Sequence, residues 1–184
     1  MSAREEIIQL ADNLIGEKGY NAFSFYDISR AVGIKTASIH YHFRQKSDLG
    51  IAVIEMHIAR LNDTVSKYRN KSPIENLEKL FSIYTTIKTE NKVCLVGSLS
   101  TDLNTVDISV QKKLKEFASL VLQWVSHFLE DGRKMQVFQF EGLARTKALM
   151  VIGNLLSIVQ LSRLTHEKDV RAVISAIRKD LLVR

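Results

Sequence analysis

A single proline, Pro73, and eight glycines in 184 residues leave little to interrupt a helix. The apolar residues recur with helical period. Ile7, Ile8, Ala11, Leu14 and Ile15 stripe residues 3–18, and Leu77, Leu80, Phe81, Tyr84 and Ile87 follow Pro73. Alternating strand patterns bounded by turn residues are absent, so an all-α chain is expected. Hydrophobic residues make up 46% and charged residues 25%, which suits a globular protein with a real core. The longest apolar run, Ala148 to Leu161, is broken by Gly153, Asn154, Ser157 and Gln160. It falls short of the roughly 18–20 uncharged residues that cross a bilayer, so no membrane partner is expected. The N-terminus carries Arg4, Glu5 and Glu6 where a secretory signal needs an apolar stretch. One cysteine, Cys94, excludes an internal disulfide. Together these point to the cytoplasm.

The stretch Ser24 to Leu49 carries the functional information. Ser24 with Asp27 three residues on forms a capping box. Ile28, Ala31 and Val32 continue at helical spacing, and Gly33 supplies the positive φ that turns the chain. A second short helix follows over residues 36–42. Ile39 and Phe43 point inward from it at a four-residue interval. Lys35, Thr36, Ser38, His40, Tyr41 and His42 remain on its other faces. Two short helices around a tight turn suit a helix-turn-helix unit, whose second helix enters the major groove of duplex DNA. Hydroxyls, imidazoles, a tyrosine and a lysine suit phosphate and base edges. The same pattern also fits a helical hairpin with a solvated polar face. The net charge of +6 permits nucleic acid but does not locate it, because residues 1–47 balance to +1.

Residues 4–49 resemble the DNA-binding domain of TetR-type transcriptional regulators. The resemblance rests on EKGYNAFSFYDIS, on the run AVGIKTASIHYHFRQKSDL, and above all on Tyr41-His42-Phe43 followed three residues later by Lys46. Two positions depart from the family pattern. Ala37 stands where Gly is frequent, which favours the helix. His40 stands where Tyr is usual, a change that bears on which operator is read. The resemblance implies a three-helix helix-turn-helix DNA-binding domain over residues 1–48. A long helix would join it to a larger helical ligand-binding and dimerisation domain over 49–184. Thr36, Ser38 and His40 are then expected at or near bases, and Lys35, Tyr41, His42 and Lys46 at phosphates, with Ser24 a weaker phosphate contact.

Downstream, a long helix is expected from Lys46 to about Arg69, and Ser72-Pro73-x-Glu75 opens the next. A short helix should follow Gly97, and a long one should run to about Asp131, stopped by Gly132. Residues 139–164 and 167–183 read as the last two helices. The first of these is apolar around most of its circumference, which requires cover on most sides. Burial within one subunit and a two-fold four-helix bundle both supply that cover. The resemblance favours the homodimer, with Leu155, Ile158, Val159, Val173, Ile174 and Ile177 at the interface. It also implies a pocket for an unknown small-molecule effector. Met56, Phe81, Tyr84, Phe117, Trp124 and Phe128 are its candidate lining, although from the residues alone each reads first as plain core.

No catalytic constellation, phosphate loop or metal spacing is present, so neither an enzyme nor a cofactor is expected. His40 and His42 lie two apart and face different ways, and His57 and His127 stand alone. The functional expectation is a homodimeric repressor released from a pseudo-palindromic double-stranded operator by an effector. A protein-binding adaptor on the same fold, an all-helical enzyme and a thiol sensor acting through Cys94 are the alternatives. Cys94 follows Lys92, which favours a thiolate, but lies among apolar residues, which opposes one.

Overall fold

The computed structural model describes residues 2–183. Among them the chain is helical apart from its connections and one isolated antiparallel bridge, Phe138 to Leu182. In order the helices are α1 (Ala3–Lys18), α2 (Phe25–Val32), α3 (Thr36–His42), α4 (Lys46–Tyr68) and α5 (Pro73–Thr89). They continue with α6 (Leu95–Thr101), α7 (Ile108–Lys134), α8 (Ala144–Leu161) and α9 (Glu167–Leu181), and a 3-10 turn (Tyr20–Ala22) links α1 to α2. No described helix is long and apolar enough to cross a membrane.

Helix starts follow local chemistry. Ser2 with Glu5, Ser24 with Asp27, and Ser72 with Glu75 each form a reciprocal capping box, the last with Pro73 at the first helical position. In each pair the serine hydroxyl and backbone hold the acid's carboxyl below its usual range. Gly33 closes α2 in the left-handed region, with φ 76°.

The chain divides into two compact units. One comprises Met1–Arg60 with Lys92–Ala118, the other Leu61–Asn91 with Ser119–Arg184. Contacts therefore do not divide at residue 48, where the sequence suggested a boundary. The first unit extends further along α4 and draws in α6 and the start of α7. The reason lies on α1, whose far flank needs cover that two short helices cannot give. Val93 N–H donates to Gly16 O at 2.8 Å, and Ser98 Oγ donates to Ile15 O at 3.0 Å. The core of this unit is Ile7, Ala11, Ile15, Ile28, Ile39, Leu49 and Val53, all at most 1% exposed.

The second unit packs α5, the later part of α7, α8 and α9 around Leu77, Leu80, Leu129, Leu155 and Val159. Each such side chain, fully buried, contributes about 1.5–3 kcal/mol. Asn76 is a polar hub within it. Its amide donates to the carbonyls of Tyr68 (3.2 Å) and Ser72 (3.1 Å), and its oxygen accepts from Trp124 Nε1 at 3.1 Å.

Several expected boundaries move. α6 begins at Leu95, before Gly97. α7 continues through Gly132 to Lys134, because the Phe138 ring lies against Gly132; a β-carbon there would stand 2.1 Å from that ring. α8 starts at Ala144 rather than 139, since the preceding residues return to pair with the C-terminal end: Gln139 N–H donates to Leu181 O at 2.7 Å. The expected interface also changes. Leu155, Ile158, Val159 and Ile174 are buried within this one chain, and Val173 and Ile177 are half-buried. The period-3.6 pattern marked an apolar face without saying what covers it, and α5 and α9 of the same chain cover most of it. The exposed apolar residues of α8 are instead Leu149, Met150 and Leu161.

Candidate nucleic-acid interface

Three short elements build the site. α2 is anchored by Phe25 and Ile28, and α3 by Ile39 and then Phe43, which are 0% and 2% exposed. The turn between α2 and α3 is closed by backbone. Gly33 N–H (2.9 Å) and Ile34 N–H (3.1 Å) both donate to Ser29 O, the double closure that a left-handed glycine permits. Ser29 is itself buried, donates its hydroxyl to Tyr26 O at 2.8 Å, and accepts from Thr36 Oγ1 at 3.2 Å. The first residue of α3 is thereby tied to the middle of α2, which sets the second helix against the first.

With its anchors inside, α3 turns a polar surface outward. Lys35, Ser38, His40 and Tyr41 are exposed, Tyr41 by 86%. His42 is half-buried, its ring edge-on to Tyr41 at 5.2 Å. His40 is held on two sides: Phe25 meets its ring edge-on at 5.0 Å, and its Nδ1 lies 3.3 Å from Arg44 O. These groups bring hydrogen-bond donors and acceptors to the solvent side of α3.

Three expected contacts sit differently from an open phosphate binder. The Ser24 hydroxyl donates to Asp27 Oδ2 at 2.7 Å, so its proton is spent within the capping box. Thr36 is half-buried, and its proton goes to Ser29. Lys46 is half-buried, donates from Nζ to Phe23 O, and sits 4.3 Å from the Phe23 ring centroid and 4.8 Å from that of Tyr20. Burial lowers the pKa of this ammonium, against the opposing pull of Asp102 and Asp27. Burial also pushes Tyr20 up to about 12, with Asp107 and Asp48 adding to the effect. Lys46 thus works as a bolt between the start of α4 and the α1–α2 connection.

Sequence reasoning overlooked Tyr26 and Arg30 on α2. Tyr26 is 61% exposed and the Arg30 guanidinium lies 5.9 Å from its ring centroid. Their four-residue separation was visible, but attention to the apolar stripe passed over the opposite face. Farther along, Asp12 of α1 accepts from His57 Nε2 of α4 at 2.6 Å, with Arg60 Nη1 at 3.4 Å. Burial alone would raise Asp12, but His57, Arg60 and Lys92 outweigh it and hold the carboxyl below its ordinary pKa.

The residues proposed for an effector pocket fall in both units. Met56 lies in an open groove of the first unit beside Ile8, Gln9 and Ala52. Phe117 in that unit meets His57 edge-on at 5.8 Å. In the second unit Trp124 is bound to Asn76 and stacked edge-on with Phe128 at 5.6 Å, and Phe81 lies under the Arg178 guanidinium at 5.3 Å. Phe81, Tyr84, Phe117, Trp124 and Phe128 are all buried. Cys94 is half-buried, and desolvation raises its thiol pKa despite hydrogen bonds from the Gly97 and Val96 amides, which works against a thiolate.

A capped helix, a glycine turn and a second helix with an outward polar face define a helix-turn-helix DNA-binding protein. The profile for bacterial regulatory proteins of the tetR family matches residues 7–53. A TetR transcriptional regulator from Legionella pneumophila is 33% identical, covers 98% of each chain, and superposes with a TM-score of 0.89. The chain belongs to the TetR family of transcriptional regulators, and its relatives are regulators, not enzymes. Over 69 residues it is 35% identical to IcaR of Staphylococcus aureus, a negative regulator of a biofilm operon, spanning 38% of this chain and 37% of IcaR. The likeness to FadR from Bacillus subtilis, solved in complex with stearoyl-CoA, is one of fold: 18% identity over 95% of each chain, TM-score 0.73.

Proposed function

We propose that this TetR-family regulator is a homodimeric, cytoplasmic repressor that holds a pseudo-palindromic operator through α3 and releases it when a small molecule binds. The observation that carries the reading is the division of α3, with Ile39 and Phe43 inside and Lys35, Ser38, His40 and Tyr41 outside. Ser38 and His40 face bases, with Thr36 at the rim. Lys35, Tyr41 and His42 take phosphates, and the free α4 amides beside Lys46 add partial positive charge. Repression is supported by the likeness of the DNA-binding part to IcaR.

Dimerisation is supported by the outer face of α8, where Leu149, Met150 and Leu161 are 51–55% exposed. Between them a β-carbon at Gly153 would meet nothing within 4 Å beyond the backbone of its own helix. On α9, Ala172 and Ala176 are exposed one turn apart. Small residues beside exposed apolar ones suit close packing of helices against their copies. The effector reading is supported by the acyl-CoA held by FadR on the same fold. In this reading the ligand enters the second unit beside Phe81, Tyr84, Trp124 and Phe128, whose buried rings supply an apolar lining.

The test is footprinting of the purified protein on DNA flanking its own gene. Discrete protected half-sites about one helical turn apart are the expected result. Uniform, salt-sensitive coating without a protected site would refute the repressor and favour an adaptor role.

A further inference from the structure

His40 is the recognition-helix residue whose orientation the structure defines most fully, and its chemistry limits what it can read. Its Nδ1 lies 3.3 Å from the backbone oxygen of Arg44. A carbonyl oxygen only accepts, so Nδ1 carries the proton in that bond. Phe25 of α2 meets the ring edge-on at 5.0 Å, which restricts its rotation. In the neutral imidazole the second nitrogen, Nε2, is then an acceptor with no hydrogen to give. The residue is exposed on the outward side of α3, with Ile39 next to it fully buried.

An acceptor in the major groove discriminates bases. Cytosine presents the N4 amino group there and adenine the N6 amino group, whereas guanine and thymine present acceptors at O6, N7 and O4. From this we infer that His40, through Nε2, selects an amino-bearing base, cytosine or adenine, at one position in each operator half-site. The inference rests on the assignment of α3 as the reading helix. A tyrosine hydroxyl at the same place would not discriminate in this way, because it both donates and accepts. The Arg44 carbonyl therefore acts as a positioning group: it fixes the tautomer and so decides what is read.

The experiment is selection of binding sites from a randomised duplex library at pH 8, with the wild-type protein and with His40→Ala, followed by affinities on single-base analogues. The wild type should enrich one base pair, and with it one cytosine or adenine, at a position that His40→Ala no longer constrains, the other positions being kept. Replacing that base by its analogue lacking the amino group, 2-pyrimidinone for cytosine or unsubstituted purine for adenine, should weaken the wild type about ten-fold. The same replacement should leave His40→Ala within about two-fold, as expected when the partner is already gone. Circular dichroism of the variant, in which an exposed side chain is shortened, controls for folding. The inference is overturned if no position relaxes, or if the duplex carrying the amino-free analogue binds the wild type as well as the parent duplex. A wild-type protein that enriches no site at all overturns the DNA-reading assignment itself, and this inference with it.

Discussion

Two lysines eleven residues apart illustrate how residue identity and residue role separate. Lys35 is exposed, and its ammonium is expected at phosphate; Lys46 is half-buried and donates to Phe23 O. Lys35→Ala should weaken binding to every sequence and reduce the slope of log K against log salt by about 0.9 per protomer, read by fluorescence anisotropy between low and moderate salt. Lys46→Ala should instead lower the melting temperature, because it unties the start of α4. Asp12 and His57 form a second informative pair. The carboxyl is held below its ordinary pKa, so its stabilising contribution is present above about pH 4 and is lost as pH falls through the lowered value. Thermal melts between pH 2 and 7 should show an acid-side loss that Asp12→Asn reduces, the capping-box acids Glu5, Asp27 and Glu75 supplying part of what remains. His57→Ala should cost about 1.5–3 kcal/mol at pH 7, the worth of a hydrogen bond to a charged group. Neither the Asp12–His57 pair nor the inward turn of Lys46 was legible in the chain, since each partner is more than 20 residues distant.

Among the elements, the starts of α2 and α5 were readable to the residue because a capping box is a local signal three residues long. Ends were less so. Gly132 looks like a stop, yet α7 runs through it, because the glycine makes room for Phe138 rather than a turn. Helix α6 is another case: a seven-residue helix owes its place to Ser98 and Ile15, residues 83 apart. In the second unit the α4–α5 connection depends on Asn76, whose amide closes the last carbonyl of α4, that of Tyr68, and the Ser72 carbonyl that begins α5. Asn76→Ala should cost about 1–3 kcal/mol in urea unfolding, because it removes a partner of the half-buried Tyr68 carbonyl and strands the buried Trp124 N–H. Trp124 is the only tryptophan, so its fluorescence reports the change directly. An unaltered emission maximum with unaltered stability would show the hub to be dispensable.

For the whole molecule, the all-α class and the helix-turn-helix family were legible in the sequence, and which apolar helix faces stay exposed was not. Of the residues first chosen for the two-fold contact, Leu155, Ile158, Val159 and Ile174 are core, and the proposed contact moves to the exposed face of α8 around Gly153. Met150→Arg should convert the proposed dimer to monomer in sedimentation velocity while leaving helicity intact, and should weaken operator binding far more than half-site binding. A dimer that survives Met150→Arg and Gly153→Arg alike would place the interface elsewhere.

Local order explains which features the chain declared alone. Helix period, caps, the Gly33 turn and the inward Ile39–Phe43 pair arise within a few residues, so physical chemistry acting along the backbone suffices to specify them. Burial, by contrast, belongs to pairs of distant surfaces. That Val159 is covered within its own chain and that Lys46 turns toward Phe23 are decided by packing, which no window of residues contains.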